Sequence, residues 1–423
     1  MTNGEIERLG ERITSSDKIL TEDIELLQEF RKSFKDPLSN TFDVLRTLTM
    51  KVDKKAIVTC RIKRIDTIIR KLKRFKNNPS GRMPLHKMWD IAGCRCIFDS
   101  NDVSQIYRLK DLLIKHYGEC KIKDYVKVQK KDGYQSLHIY VQDKISNKKI
   151  EIQIRITRQH NWATLVEILD LIFNTKIKEG EKNLELQRFL FLFSKRDTLS
   201  VEENLELIKF ERQYNIFRKM SDIFSKNYIR IRRQWISQKK DGSFYVIEAN
   251  KDLSSTIDSF KDFESAENQY YQKYTSNSDS NIVLTYIKNA EYKQISKAYS
   301  NYVLTMHSFF EDYKKILEDQ IIEQLNARKF FKVWRSLSRY RKTTAIYLRN
   351  IRNEIKELNV CHKDSSIKSI HKNEWKKDLS KEITIWQEST KLFFSRQSGA
   401  INKGDIYDFL IEMQYRLLAI QIK

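Results

Sequence analysis

The chain has 423 residues, too many for one ordinary core, so two or three domains are expected. Hydrophobic residues make up 40% and charged residues 32%, and with only 3 Pro and 10 Gly the composition argues against a sandwich of tight turns and for long helices. The 79 basic against 56 acidic residues leave a net charge of +23, which calls for an anionic partner such as nucleotide phosphates or RNA, unless it reflects a general basic bias.

Residues 1–50 are expected to be helical. Ile19, Ile24, Leu26, Leu27 and Phe30 punctuate polar sequence there, and a break is expected at Asp36-Pro37. No apolar run reaches the roughly 18–20 residues that span a bilayer, and the opening MTNGEIERLG is acidic where a secretory signal is basic. A cytoplasmic protein with no membrane partner is the expectation. The run Ala56-Ile57-Val58 leads into Arg61-Ile62-Lys63, after which Ile65, Ile68, Ile69 and Leu72 keep the spacing of an amphipathic helix. A loop is expected at 77–81 and a buried strand at 91–98. Ser100-Asn101-Asp102 should cap a helix bearing Ile106, Leu109 and Leu113. Cys94 and Cys96 alternate with apolar residues as buried free thiols would, and Cys361-His362 with His371 match no zinc spacing.

After a turn at Gly133, strands are expected at about 136–141 and 150–155. The second has a clean period of two, with Ile150, Ile152 and Ile154 facing one way and Glu151, Gln153 and Arg155 the other. A helix with Leu165, Ile168, Leu169 and Ile172 closes this block near 175. Strands alternating with helices predict an α+β fold, a mixed β-sheet flanked by helices. The expected division is N-terminal helices at 1–50, a sheet domain at 51–180, and a helical connector at 181–236. A small α/β module at 237–320 and a basic helical C-terminal region at 321–423 follow. The module should open with a turn at 239–242, then a strand at 244–247, a helix at 261–275, a strand at 282–284 and a long helix at 291–327. Looser stretches are expected at 359–372 and 398–399.

A strand can show a polar face merely because it is solvated. Here, however, charged groups recur at the ends of other strands: Arg61 and Lys63, Asp90, and Lys123-Asp124. Between them lies the basic turn Lys130-Lys131-Asp132-Gly133-Tyr134-Gln135-Ser136-Leu137-His138. Phosphate chemistry uses this combination of carboxylates, cations and an aromatic platform. There is no Walker A and no HExxH motif.

These pieces resemble the RelA/SpoT family. Arg61-x-Lys63 with Lys71, Trp89-Asp90-Ile91-Ala92-Gly93-Cys94-Arg95, Lys123-Asp124-Tyr125, Gly133 to His138, and Glu151-Ile152-Gln153-Ile154-Arg155 fall in the order and spacing of its alarmone synthetase domain. The resemblance covers about residues 50–175 and implies a nucleotidyltransferase-like sheet. It implies pyrophosphate transfer from ATP to the 3′-hydroxyl of GDP or GTP, making (p)ppGpp. Asp90 and Glu151 would be the Mg²⁺ ligands, with Glu151 also accepting the hydroxyl proton. Arg61, Lys63 and Lys71 would neutralise the ATP phosphates, and Tyr134 would stack on the acceptor base. His138 and Arg155 would contact phosphate or support the glutamate, and Lys123 and Gln153 count with the substrate-binding residues. Plainer readings remain for some of these: Asp90 as a cap, Tyr134 as turn chemistry, Lys71 on a solvated helix face. His86, His116 and His160 read as structural.

Two departures from the family pattern stand out. Gln129-Lys130-Lys131-Asp132 replaces Pro-Lys-x-Asn, and an aspartate accepts hydrogen bonds where an asparagine also donates, so guanine specificity is open. Ile156 follows Gln153-Ile154-Arg155 where the family has threonine. No HD hydrolase signature precedes the block, so synthesis without degradation is expected. A toxin-type relative acting on adenosine nucleotides or the tRNA 3′ end is the alternative acceptor reading. A catalytically silent nucleotide- or RNA-sensing module is the alternative of another class.

The segment 328–352 is a candidate RNA contact. Arg328, Lys329, Lys332, Arg335, Arg339, Arg341, Lys342, Arg349 and Arg352 interleave there with Phe330, Phe331, Trp334, Tyr340 and Tyr347. The competing expectation is one packing seam of Phe330, Val333, Leu337, Tyr340, Thr344, Tyr347 and Ile351, with the aromatics in the core.

Overall fold

The computed structural model describes residues 1–76, 83–179, 181–238, 242–250, 254–276, 281–288, 290–303 and 307–396. In chain order these form α1 (Asn3–Ser15), α2 (Thr21–Lys32), α3 (Lys35–Val52), β1 (Ile57–Ile62), α4 (Ile65–Arg74), β2 (Ala92–Phe98), α5 (Ser104–Tyr117), β3 (Lys121–Asp124), β4 (Leu137–Gln142) and β5 (Lys149–Ile156). Then come α6 (Thr157–Phe173), α7 (Leu184–Ser194), α8 (Val201–Tyr214), α9 (Ile216–Ser237), β6 (Phe244–Ala249), β7 (Ser255–Phe260), α10 (Phe263–Ser276) and β8 (Asn281–Tyr286). The chain continues through α11 (Tyr292–Ala298), α12 (Ser300–Val303), α13 (His307–Asn326), α14 (Phe330–Lys363) and α15 (Ser369–Arg396). They fall into two compact units, residues 1–163 with 239–302, and residues 164–238 with 303–423. None of the described helices is long and apolar enough to cross a membrane.

The first unit is built on an 8-stranded mixed sheet in the order β3-β4-β5-β2-β1-β8-β6-β7. Only β2 and β5 run parallel among neighbours, because α5, β3 and β4 intervene between them and return the chain for a same-direction strand. One face of the sheet is apolar. Cys60, Cys94, Ile152 and Ile139 stand in one row of it, each almost wholly buried, and α3 packs there, its Thr49 hydroxyl donating to Cys96 Sγ at 3.7 Å. The cysteines of these strands are free and buried, as their alternation predicted.

The structure departs from the sequence expectations in specific ways. Pro37 lies in the first turn of α3 and does not end a helix, since an N-terminal turn has no use for its missing N–H. The expected long helix at 291–327 is interrupted at Tyr299, where α11 ends and α12 begins, and its residues 304–306 lie outside the described residues. The strands of the expected small module at 237–320 are not a separate sheet: β8 pairs with β1 through Cys60↔Tyr286 and Arg61↔Thr285, and β6 and β7 continue outward. Pairing satisfies the hydrogen-bonding edge that β1 would otherwise leave open. The outer strand β7, of sequence STIDSF, is too polar to have announced itself. The expected loops at 77–81 and 398–399, and residues 239–241 of the expected turn, lie outside the described residues.

A buried polar junction ties the added strands to the N-terminal helices. Arg31 of α2 and Glu267 of α10, both with fully buried side chains, pair at 2.7 Å. Gln28 joins them, and the Arg31 guanidinium lies 4.5 Å from the Tyr270 ring centroid. Arg31 Nε also donates to the Lys63 carbonyl at 2.8 Å, and Tyr270 accepts from the Ile65 N–H at 3.1 Å. The turn between β1 and α4 is therefore held from outside.

The second unit is helical. Tyr347 of α14 stacks on Trp386 of α15 at 3.7 Å, and Trp375 Nε1 donates to Glu354 at 2.6 Å. Val333, Leu337, Tyr340, Thr344, Tyr347 and Ile351 are buried as the expected seam requires, but Phe330 is not.

Removing one partner of a buried ion pair strands the other charge. Glu267→Leu should lower unfolding free energy by about 3–5 kcal/mol, and Arg31→Met/Glu267→Leu should recover much of that loss. Urea denaturation of the two variants beside the parent chain checks both.

Candidate active site

The polar face of the sheet follows from strand pairing alone. Residues in register share a face, so Arg61, Gly93, Glu151, Tyr140 and Lys121 form one row across β1, β2, β5, β4 and β3. Thr59, Arg95, Gln153, His138 and Lys123 form the next. Gly93 leaves open the space that a side chain would take, since a Cβ there would sit 3.0 Å from the Glu151 carbonyl oxygen.

Just before β2, Asp90 is gripped from two sides. Lys63 Nζ and Lys71 Nζ each donate to one of its oxygens at 2.6 Å. Burial would raise the Asp90 pKa, but the two ammoniums outweigh it and hold the carboxyl down at about 2. Lys63 is pushed below the usual lysine value by burial, with Asp90 working against the shift. Arg61 lies close enough to Lys63 to lower it further. Lys71 thus turns inward from α4 and is not a solvated surface lysine.

Across β2 and β5, Glu151 sits in a closed ring of hydrogen bonds. His138 Nδ1 lies 2.9 Å from its Oε1, and Gln153 Nε2 donates to Oε2 at 2.9 Å. Tyr134 Oη is 2.7 Å from His138 Nε2 and accepts from Arg155 at 2.6 Å, while Arg155 also reaches Gln153 at 3.3 Å and Ser136 at 3.2 Å. Arg155 can only donate, so the tyrosine proton goes to His138 Nε2. That assigns the proton on the imidazole to Nδ1, from which it is donated to Glu151. Burial raises the Glu151 pKa, yet the hydrogen bond from His138, joined in acid by the charge of the protonated imidazole, wins and brings it to about 2. His138 is itself pushed below its ordinary value by burial, so the neutral imidazole assigned here is the form favoured near neutrality.

The Gly133-Tyr134 turn is shaped by its own sequence. Gly133 has φ +96°, in the region that favours glycine, and Asp132 Oδ1 accepts the Tyr134 N–H at 3.0 Å. The unusual aspartate thus serves as a turn cap. Tyr134 packs edge-on against Tyr125 at 5.8 Å, with Lys130 Nζ 4.8 Å and the Arg155 guanidinium 5.1 Å from its ring centroid.

Of the sequence candidates, Asp90, Lys63 and Lys71 form one contact group, and Glu151, His138, Gln153, Tyr134 and Arg155 another. Arg61 shares a row with Glu151, and the exposed Lys123 lies beside Tyr140 at 5.8 Å. Residues outside the candidate set also belong here. Tyr140 stands opposite Glu151 in register, and burial together with the glutamate's charge pushes its own pKa up. Trp89 lies edge-on to Tyr140 at 5.2 Å, with Lys149 at 4.0 Å and Lys121 at 4.7 Å from its ring centroid. Period-two spacing from His138 carries the signal for Tyr140; nothing local to the sequence marks Lys149. His160 is buried and bonds the Lys297 carbonyl at 2.7 Å, a structural contact as expected.

Residues 60–169 match the family model described as the region found in RelA/SpoT proteins. The chain is 33% identical over 140 residues to GTP pyrophosphokinase YjbM of Bacillus subtilis (strain 168), covering 31% of this chain and 63% of that protein. It is 32% identical over 113 residues to GTP pyrophosphokinase YwaC of the same organism, covering 25% of this chain and 53% of that one. The match thus spans under two thirds of the length of either relative. Among solved structures, the small alarmone synthetase 1 of Bacillus subtilis aligns with TM-score 0.34 at 23% identity, covering 45% of this chain and 99% of that one. A GTP pyrophosphokinase family protein of Streptococcus pneumoniae aligns with TM-score 0.33 at 22% identity, covering 48% of this chain and 98% of that one.

Tyr134→Phe keeps the ring and removes the hydroxyl that closes the ring of bonds. It should cost about 1–3 kcal/mol, because Arg155 and His138 each lose a buried partner. Urea denaturation measures the loss, and the imidazole nitrogen shifts of His138 by NMR should move with it.

Proposed function

We propose that this chain, which carries a RelA/SpoT region at 60–169 homologous to GTP pyrophosphokinases, is a pyrophosphotransferase that moves the β,γ-pyrophosphate of ATP to the 3′-hydroxyl of GDP or GTP. The observation that carries the proposal is a pair of carboxylates near enough to interact, Glu151 on the polar sheet face and Asp90 in the turn before β2, each held ionised by different means. Asp90 is held by two lysines and Glu151 by His138 and Gln153.

The chemistry follows from that contrast. Arg61, Lys63 and Lys71 concentrate positive charge on β1, the turn after it and α4, as a triphosphate requires. Glu151, kept as a carboxylate, accepts the proton of the ribose 3′-hydroxyl as its oxygen bonds to the β-phosphorus. The bond from the β-phosphorus to the oxygen bridging it to the α-phosphate breaks, and AMP leaves. Tyr134 and Tyr125 offer aromatic surface to a base, and the tyrosine–arginine–glutamine ring fixes the Glu151 rotamer.

The donor set suits Mg²⁺. Asp90 lies near enough to Glu151 for its charge to oppose the ionisation of the glutamate, and magnesium takes one or two carboxylates while phosphate and water fill the remaining positions. No cluster of three or more potential metal-ligating side chains occurs among the described residues; with two carboxylates from the protein, phosphate and water would supply the other ligands. Both Asp90 oxygens are engaged by lysines, and Asp90 and Glu151 are the side chains that would hold the ion, with Lys63 and Lys71 placed to meet phosphate. When bound, Mg²⁺ supplies neutralisation of the charge that develops on the transferred group. A cytoplasmic setting agrees with these substrates.

The test is transfer of label from β- or γ-labelled ATP, with Mg²⁺, to GDP, GTP, an adenosine nucleotide or tRNA in separate reactions. Label on a guanine nucleotide is the expected result, and Glu151→Gln should reduce the rate by about 10²–10⁴ with nucleotide binding retained. Label only on tRNA or an adenosine nucleotide keeps the transfer and replaces the acceptor. Nucleotide binding without transfer to any acceptor overturns the proposal.

A further inference from the structure

Helix α14 carries aromatic rings and positive charge on a single exposed face. Between Glu323 and Glu354 the sequence has no acidic residue. At 100° per residue, Val333, Leu337, Tyr340, Tyr347 and Ile351 fall on the side packed into the helical unit, and all are buried. Phe330, the first residue of the helix, is in line with the seam yet 63% exposed, while Phe331 and Trp334 fall away from that side and remain 75% and 58% exposed. Arg335 and Lys342, both exposed, share their side of the helix, as does Arg341. The guanidiniums of Arg335 and Arg341 each lie 5.7 Å from a ring centroid, over Phe331 and Trp334 respectively. Farther along, Arg349 is taken by Asp222 at 2.7 Å, while Arg352 is exposed.

This arrangement discriminates between possible occupants. An amphipathic helix that lies in a lipid surface segregates its apolar side from its cations. Here the cations lie over the rings. A second copy of the chain docked on this face would bring Arg335 and Lys342 of each copy toward their equivalents, with no nearby carboxylates in 324–353 to offset them. Single-stranded nucleic acid satisfies both features together, since phosphates meet the cations and unpaired bases stack on the rings. RNA presents such bases constitutively in its loops and ends.

We infer that this face of α14, residues 331–352, binds single-stranded RNA, with bases stacked on Phe331 and Trp334 and phosphates along Arg335, Lys342 and Arg352. The inference is independent of the pyrophosphotransfer proposal, because it uses no residue of that site.

The experiment is fluorescence anisotropy of the full chain with an unstructured RNA oligomer of about 15 nucleotides, over roughly 50–200 mM salt. Phe331→Ala/Trp334→Ala should weaken binding roughly a hundredfold, about tenfold for each ring. Arg335→Ala/Lys342→Ala should reduce the salt slope by about two. All four side chains are exposed, so the thermal midpoint of each variant should match the parent. Unchanged affinity of the aromatic variant, equal affinity for the duplex form, or tighter binding of the same sequence as DNA overturns the inference. So does retention on anionic vesicles, or self-association through this face, in the absence of RNA binding.

Discussion

The site depends on strand register. Across β1, β2, β5 and β4 the pairs Arg61↔Gly93, Gly93↔Glu151 and Glu151↔Tyr140 bring a cation, an open space, a carboxylate and a phenol into line. The neighbouring pairs Cys60↔Cys94, Cys94↔Ile152 and Ile152↔Ile139 line up the core on the opposite face. Slipping β5 by a residue would exchange its two faces, burying Glu151 in the apolar layer and exposing isoleucines. The hydrophobic effect that selects the core register therefore selects the polar register as well. A carboxylate can then be kept largely out of water without a separate mechanism to place it.

Keeping that carboxylate ionised is a second requirement, and the two acids meet it differently. Asp90 relies on net charge, with two ammoniums for one carboxylate. Glu151 relies on oriented dipoles and on His138, whose own position depends on Tyr134 and Arg155. The proposed transfer would have phosphates compete with Asp90 for the same lysines. The Glu151 arrangement is a rigid ring that a phosphate need not disturb.

The added strands are joined to this site through the backbone. Arg31 donates to the carbonyl of Lys63, and its carboxylate partner Glu267 belongs to α10, more than 200 residues farther along the chain. Thr59 and Thr285 share a hydrogen bond across β1 and β8, and Tyr299 meets both hydroxyls. A segment that looks like an appendage in sequence is therefore part of what holds β1 in place.

Local pattern in the sequence determined much of the first unit: the β5 alternation, the amphipathic spacing of Ile65, Ile68, Ile69 and Leu72, the glycine at the Tyr134 turn, and the motifs that resemble the RelA/SpoT synthetase region. Each of these depends on neighbours within a few positions, which is why periodicity and spacing reveal them. Long-range partnership is different. The sequence alone does not say that Lys71 turns inward to Asp90, that Asp132 is spent on a turn, or that Tyr140 stands opposite Glu151. Nor does it say that β8 completes an edge of β1, or that Phe330 leaves the seam on which Tyr340 and Tyr347 remain. Those outcomes were decided by which surfaces met when the sheet and the helices packed, because a side chain's choice between core, partner and solvent depends on residues far away in the chain.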